Sequence, residues 1–274
     1  MAKENYVSLR GQLRREVGFK YNPQTGEPMG AMFALTTIRR DIYDRAGQVD
    51  PNFQRPIMMV NDPLLLQDVM ELEVGDLVEV KGVIQTGHSK RTRICPHCGQ
   101  PNVVTVPVQV IVPIYIGKLK HCANDADGLR ELAKCAEISN IGKVIGRVCT
   151  PTEQITVGNS KTGHFFTKYK VAVNRKFYLP GSVGSEDHAD YISVISYDET
   201  AQDDQAVLRQ GSLIYIDGYV HTMLLKEEST CEHCGETFTV RNQHAVLTPY
   251  SNEYLRDYDE DALEATHGAE DEVV

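Results

Sequence analysis

Two short cysteine motifs are the residues of this chain best suited to chemistry. CPHCG spans 95–99, and CEHCG spans 231–235, 136 residues later. Two thiolates separated by two residues can hold one edge of a tetrahedral zinc site, and a glycine after the second cysteine relieves the tight turn. Because a structural zinc prefers four ligands, each motif needs two more.

The simplest ligand set joins the two motifs. We predict one structural zinc ion per chain, with two hairpin tips meeting as a split zinc ribbon. Its ligands would be Cys95, Cys98, Cys231 and Cys234.

Three other arrangements are open at this stage. Another chain could complete each cysteine pair, or the cysteines could be reduced and metal-free. Histidines could also complete separate sites, for which the candidates are His88, His97 and His244.

The cysteine motifs belong to a longer internal repeat. The same offset of 136 aligns VGDLVEVKGVIQT (74–86) with QGSLIYIDGYVHT (210–222). Upstream, NYVSLRGQL from Asn5 aligns with NIGKVIGRV from Asn140 at an offset of 135. Since 274 residues are enough for two domains with their own cores, the chain is predicted to be two copies of one domain.

The composition indicates a globular protein with an acidic end. No apolar run approaches the roughly 18 residues of a membrane span, and the start MAKENY lacks the apolar core of a signal peptide, so a cytoplasmic protein is expected. Paired cysteines without a secretion signal favour metal thiolates over disulfides. The formal net charge is −10, but eight acidic residues and no lysine or arginine follow position 256, which leaves only −2 for the rest. Basic faces are therefore compatible with the composition.

Each half of the chain reads as five strands with a short helix between the third and fourth. Segments rich in Val, Ile, Tyr and Thr alternate with Gly, Pro and Asn turn signals. The predicted strands are 6–13, 32–38, 57–60, 77–85 and 103–116, then 141–149, 165–174, 191–197, 213–221 and 238–247, with helices at 63–72 and 200–209. This is the element order of the OB fold, a small Greek-key barrel.

The predicted fold class is all-β with short helices: two tandem OB-fold Greek-key barrels, each with an extended hairpin that bears a cysteine motif. The predicted boundaries are 1–120 for the first barrel, 121–138 for a linker helix, 139–256 for the second barrel and 257–274 for a disordered acidic tail.

These strands resemble the bacterial-type single-stranded DNA-binding proteins, in their phage, plasmid and conjugative-element versions. In the second half the matching segments are SNIGKVIGRV, YKVAVNRKF, ADYISVISYDE and LRQGSLIYIDGYVHT, and the first half repeats them more weakly as YVSLRGQLRR, FALTTIRR and LEVGDLVEVKGVIQT. The resemblance implies a non-enzymatic protein that coats or organises single-stranded DNA in replication, recombination or transfer. It also implies a homodimer with four OB folds.

A DNA surface of this kind needs cations for phosphates and aromatic faces for bases. The candidate cations are Arg14, Arg15, Lys20, Arg39, Arg40, Lys90, Arg91, Arg93, Arg147, Lys168, Lys170, Arg175 and Lys176. The candidate aromatic residues are Phe33, Tyr169, Tyr191 and Tyr197, of which the last two match base-stacking positions of the family.

Three features depart from the family pattern. The cysteine motif is inserted at the tip of the hairpin that joins the fourth and fifth strands. The chain has no tryptophan, and its acidic tail ends in EDEVV rather than in an acidic-Pro-Phe tip. The tail is still a candidate site for a protein partner. The alternative function is a zinc-scaffolded OB-fold adaptor between proteins of a replication or transfer complex.

Overall fold

The computed structural model describes residues 4–40, 53–174 and 189–262. Two of the predicted DNA contacts, Arg175 and Lys176, and the acidic residues after position 262 lie outside these ranges. None of the helices in the described ranges has the length and apolar content that crossing a membrane requires.

The first half of the chain forms a closed barrel. Its elements are β1 (Glu4–Leu13), β2 (Gly18–Tyr21), β3 (Pro28–Thr36), β4 (Ile57–Val60), α1 (Pro63–Met70), β5 (Asp76–Ile94) and β6 (Pro101–His121). β1 pairs antiparallel with both β3 and β5, and β4 pairs in parallel with β6, so five strands close around one core. Val7 and Leu9 of β1 are fully buried in this core because alternate residues of a strand face the same side.

The second half repeats the barrel. Its elements are β7 (Asn140–Val148), a 3-10 turn (Thr152–Gln154), β8 (Thr156–Asn159), β9 (Phe165–Asn174), β10 (Ala189–Tyr197), α2 (Asp198–Val207), β11 (Leu213–Thr230) and β12 (Thr237–Arg256). β7 pairs with β9 and β11, and β10 pairs in parallel with β12. The predicted OB-fold class is therefore confirmed.

Four details differ from the sequence prediction. Each half has one short strand that was not predicted, β2 in the first and β8 in the second. The fourth and fifth strands of each barrel are longer than predicted, because their antiparallel ladder continues beyond the barrel to the cysteine motifs. The predicted linker helix is two helices, Asp125–Ala133 and Ala136–Ser139. Residues 257–262 pack on the second barrel instead of starting a disordered tail, since Tyr258 and Ala262 contact its core.

The two barrels share one continuous sheet. β1 and β7 pair antiparallel from Glu4↔Ile145 to Leu9↔Asn140. At the centre of this ladder Val7 faces Gly142, which is its own counterpart in the repeat at an offset of 135. The repeat is therefore arranged about a local two-fold axis through the β1–β7 pair.

Beside the β1–β7 pair, an asparagine that recurs in the repeat joins β1 to β5 in the first barrel and β7 to β11 in the second. The Asn5 side chain donates to the carbonyl of Ile84 and accepts from its N–H, both at 2.8 Å. Asn140 makes the same two bonds to Val220, at 3.0 and 2.9 Å. Both asparagines are buried, so these bonds satisfy backbone groups that water does not reach.

We expect Asn140→Ala to lower the free energy of unfolding. The substitution leaves the N–H and the carbonyl of Val220 unpaired in the barrel wall, at a cost of about 1–3 kcal/mol for each group. Urea denaturation checks this, with Asn5→Ala expected to behave alike and the exposed Asn159→Ala serving as the control. An unfolding midpoint of Asn140→Ala equal to that of the control would contradict the assignment.

Candidate metal centre and nucleic-acid interface

Two hairpin arms carry the cysteine motifs away from the barrels. We name residues 86–109 of β5 and β6 the first arm, and residues 222–245 of β11 and β12 the second arm. At the tip of the first arm the N–H of Gly99 donates to the carbonyl of Cys95 at 2.9 Å, and Gly235 and Cys231 repeat this contact at 2.9 Å. Gly99 and Gly235 have φ angles of 73° and 74°, a left-handed conformation that favours glycine.

The two tips meet and bring four sulfurs together. Sγ of Cys95 lies 3.8 Å from Sγ of Cys234, and Sγ of Cys98 lies 3.7 Å from Sγ of Cys231. All four sulfurs lie within 4.8 Å of one another. Four Zn–S bonds of about 2.3 Å in a tetrahedron place neighbouring sulfurs about 3.8 Å apart. The cluster thus has the donor set and spacing that fit zinc.

The tips also stabilise the thiolate of Cys231, and they contact each other. Backbone N–H groups, first that of Cys234, lower the pKa of the Cys231 thiol to about 6. The buried Asn102 accepts from the N–H of Glu232 at 3.1 Å, and His233 contacts the carbonyl of Pro101 at 3.1 Å. Among the described residues, no other group of three or more Cys, His, Asp or Glu side chains is close enough to hold a metal ion. The histidines proposed as alternative ligands therefore do not form such a group.

Each arm docks on the opposite barrel. The N–H of Thr86 donates to Asp190 at 2.9 Å, and its hydroxyl accepts from the N–H of Tyr191 at 2.9 Å. In the mirror contact the N–H of Thr222 donates to Gln54 at 2.7 Å, and its hydroxyl accepts from the N–H of Arg55 at 2.9 Å. The three residues of one contact thus have counterparts in the other at an offset of 136, a signal that the sequence contained.

The predicted cations fall into two groups. Several are bound to other parts of the chain: Arg14 forms an ion pair with Asp125 at 3.5 Å, and Arg147 forms one with Asp257 at 2.9 Å. Others are at least partly exposed to solvent, and these are Arg15, Lys20, Lys90, Arg91, Arg93, Lys168 and Lys170.

Comparison with known proteins supports the sequence resemblance. Residues 140–239, most of the second barrel, match the model of the Single-strand binding protein family. The predicted resemblance to the single-strand binding protein family is confirmed. No curated protein matches the chain.

Solved structures of the single-strand binding group have a similar fold. The wild-type single-stranded DNA binding protein from Thermus aquaticus superposes with a TM-score of 0.60 at 14% identity, covering 94% of this chain and 95% of that one. A deletion variant of the same protein gives 0.59 and 14%, covering 94% and 98%. At this identity the likeness concerns the fold.

The structure separates the aromatic residues that the family resemblance suggested. Phe33 and Tyr169 are wrong as base-stacking candidates, because they lie in the barrel cores at 4% and 2% exposure. The Tyr169 hydroxyl donates to the buried Asp204 at 3.0 Å. Tyr191 is 54% exposed and offers its ring to solvent. Tyr197 is half-buried, and burial raises its pKa.

Arg39 and Arg40 lie in an aromatic cluster between the barrels rather than on an open groove. The Arg39 guanidinium lies 5.4 Å from the ring centre of Tyr219 and donates to its hydroxyl at 3.1 Å. Arg40 lies 4.8 Å from the ring centre of Tyr250 and pairs with Asp217 at 3.6 Å. Both predicted DNA contacts thus join the first half of the chain to the second barrel.

Substitution of the clustered cysteines is expected to remove the metal. If each sulfur supplies one tetrahedral vertex to a zinc ion, Cys98→Ser or Cys234→Ser should lose stoichiometric zinc, whereas the control Cys135→Ser should retain about one ion per chain. Elemental analysis of purified protein checks this. Full zinc content in Cys234→Ser would contradict the ligand set.

His221 should make the stability depend on pH. Burial, aided by Arg39, lowers the pKa of His221 to about 4 from 6.5. As the pH drops, His221 takes up a proton at a higher pH in the unfolded chain than in the folded protein. The free energy of unfolding should therefore fall by about 3 kcal/mol between pH 7 and pH 4. His221→Gln should flatten this part of the profile, measured by urea denaturation, and the exposed His88→Gln should not. Equal slopes for His221→Gln and wild type would refute the assignment.

Proposed function

We propose that this protein is a non-enzymatic single-stranded DNA-binding protein that coats or organises DNA in replication, recombination or transfer. The observation that carries the proposal is the family match over residues 140–239, the part of the chain that also exposes Tyr191, Lys168 and Lys170. Two OB folds on one chain would bind a strand more tightly than either alone, because the second contact is intramolecular.

The binding chemistry would be independent of base sequence. Lysine and arginine side chains neutralise phosphates and release counterions, and an aromatic ring stacks on a base for about 1–3 kcal/mol. Tyr191 remains the best candidate for stacking, since it is the most exposed of the four aromatic residues that we predicted. The exposed arm residue Lys90 could extend the cationic path.

In this proposal zinc has a structural role. Four cysteines that occupy all four positions of a tetrahedral ion leave no coordination site open for a substrate. One ion bound by both arm tips would tie the barrels together and reduce the freedom of the arms. The barrel and linker boundaries predicted above are part of the same proposal. The metal would connect the two barrels at a second place, in addition to the β1–β7 ladder.

Two assembly features complete the proposal. A homodimer of this chain would place four OB folds around one strand of DNA. The acidic C-terminal end would recruit a protein partner. The first acidic residues of that end, Asp257 and Asp259, pair with Arg147 and Arg209 at 2.9 and 2.7 Å. Only the residues that follow would be available to a partner.

The test is a titration of fluorescent oligo-dT with metal-assayed protein at two salt concentrations, followed by anisotropy. We expect binding that weakens strongly with salt, since phosphate neutralisation releases counterions. Polyglutamate labelled with the same dye, a polyanion without bases, is the control for nonspecific association with negative charge. If folded, zinc-loaded protein does not bind oligo-dT, the proposal is wrong, and the alternative function of an adaptor between proteins is favoured.

A further inference from the structure

The ladders allow the two barrels to be compared position by position. In the first barrel Phe33 faces Met58, and in the second Tyr169 faces Val194. Each residue of the second pair lies 136 positions after its counterpart. β9 and β10 therefore pair in the same register as β3 and β4. Residues at this offset therefore occupy equivalent places on the outer faces of the barrels.

These equivalent outer faces differ in chemistry. In the second barrel Lys168 faces Ile195 and Lys170 faces Ser193 across the ladder. In the first barrel the corresponding pairs are Met32 with Met59 and Ala34 with Ile57. Met32 is 57% exposed, so it is an accessible apolar residue where the second barrel has an ammonium group.

A cleft lies beside the two lysines of the second barrel. Its volume is about 350 Å³, and its lining includes Lys168 and Lys170 with the turn residues Thr150, Pro151 and Gln154. Neither ammonium group forms an ion pair with a carboxylate in the described part of the chain. A concave surface with two uncompensated cations suits a phosphodiester.

We propose that the two barrels are unequal, with the cleft and the outer face around Lys168 and Lys170 forming a phosphate-binding subsite that the first barrel lacks. This inference rests on the proposed function and identifies the part of the protein that binds the phosphates of single-stranded DNA. The first barrel has exposed cations, among them Arg15, Lys20 and Arg55, but it has Met32 and Ala34 at the positions equivalent to Lys168 and Lys170. Apolar side chains cannot neutralise phosphates, so that face contributes less to the electrostatic part of binding.

Paired charge-removal variants test the inequality. Lys168→Met with Lys170→Ala gives the second barrel the chemistry of the first, and Lys20→Met with Arg55→Ala removes the same charge from the first barrel. If each lysine of the subsite neutralises one phosphate, the slope of log affinity for oligo-dT against log salt should fall by about 1.4 in the first variant. At 0.05 M salt, counterion release alone then predicts a loss of affinity on the order of 60-fold.

We expect the first-barrel variant to change the slope by less than half as much. The reciprocal variant Met32→Lys with Ala34→Lys should steepen the slope, because it builds the missing cations on the first barrel. Lys120→Met with Lys134→Ala, two cations that pair with Glu131 between the barrels, controls for net charge. Urea unfolding of each variant checks the fold. If Lys168→Met with Lys170→Ala does not fold, Lys168→Gln with Lys170→Gln takes its place.

The possible outcomes separate the inference from the proposed function. Suppose that wild type binds oligo-dT and that the first-barrel and second-barrel variants lower the slope of log affinity against log salt by the same amount. The barrels are then equivalent and the inference is wrong. The same holds if the Lys168 and Lys170 variant behaves like the charge control. If wild type does not bind oligo-dT at any salt concentration, the proposed function itself fails.

Discussion

The antiparallel ladder between β1 and β7 is the interaction on which the rest of the molecule depends. It fuses two barrels into one twelve-stranded sheet and places Val7 opposite its own counterpart, Gly142. Backbone bonds fix the relative orientation of the barrels, because a ladder allows only discrete registers. Once that orientation is set, arms that leave equivalent edges must approach one another around the same axis. The meeting of the cysteine motifs is a consequence of this pairing and of arm length.

The positions that duplication retained are those that the shared architecture constrains. Gly82 and Gly218 both sit at a bulge, and a Cβ at either would lie 2.5 or 2.2 Å from a backbone carbonyl oxygen of the next strand. Thr86 and Thr222 each hold an arm to the opposite barrel through the same two bonds. Outer-face residues meet no such constraint. They were free to diverge, which explains how one fold can carry two unequal surfaces.

Two buried carboxyl groups, at positions that the repeat does not align, have different surroundings. Burial opposes ionisation of Asp76, but hydrogen bonds, first that from Lys118, hold its pKa below the usual range. Burial raises the pKa of Asp204 in the second barrel, whose described hydrogen-bond partners are the neutral side chains of Ser196, Tyr169, Asn252 and Tyr254. A cation stabilises one charged group, and neutral donors surround the other. Each barrel thus accommodates a buried carboxyl group at a different position and with different partners.

The sequence by itself determined the duplication and the OB-fold class, since these depend on local spacing and on a repeat that an offset of 136 exposes. It favoured a joint site for the two cysteine motifs, but only the tertiary structure brings their four sulfurs together. The sequence could not decide which face of a strand an aromatic residue occupies, so Phe33 and Tyr169 were assigned to a DNA surface although they fill the cores. Nor could it show that Arg39 and Arg40 are held by tyrosines of the second barrel. Those outcomes depend on contacts between residues far apart in the chain, which only the closed barrels and their shared sheet bring together.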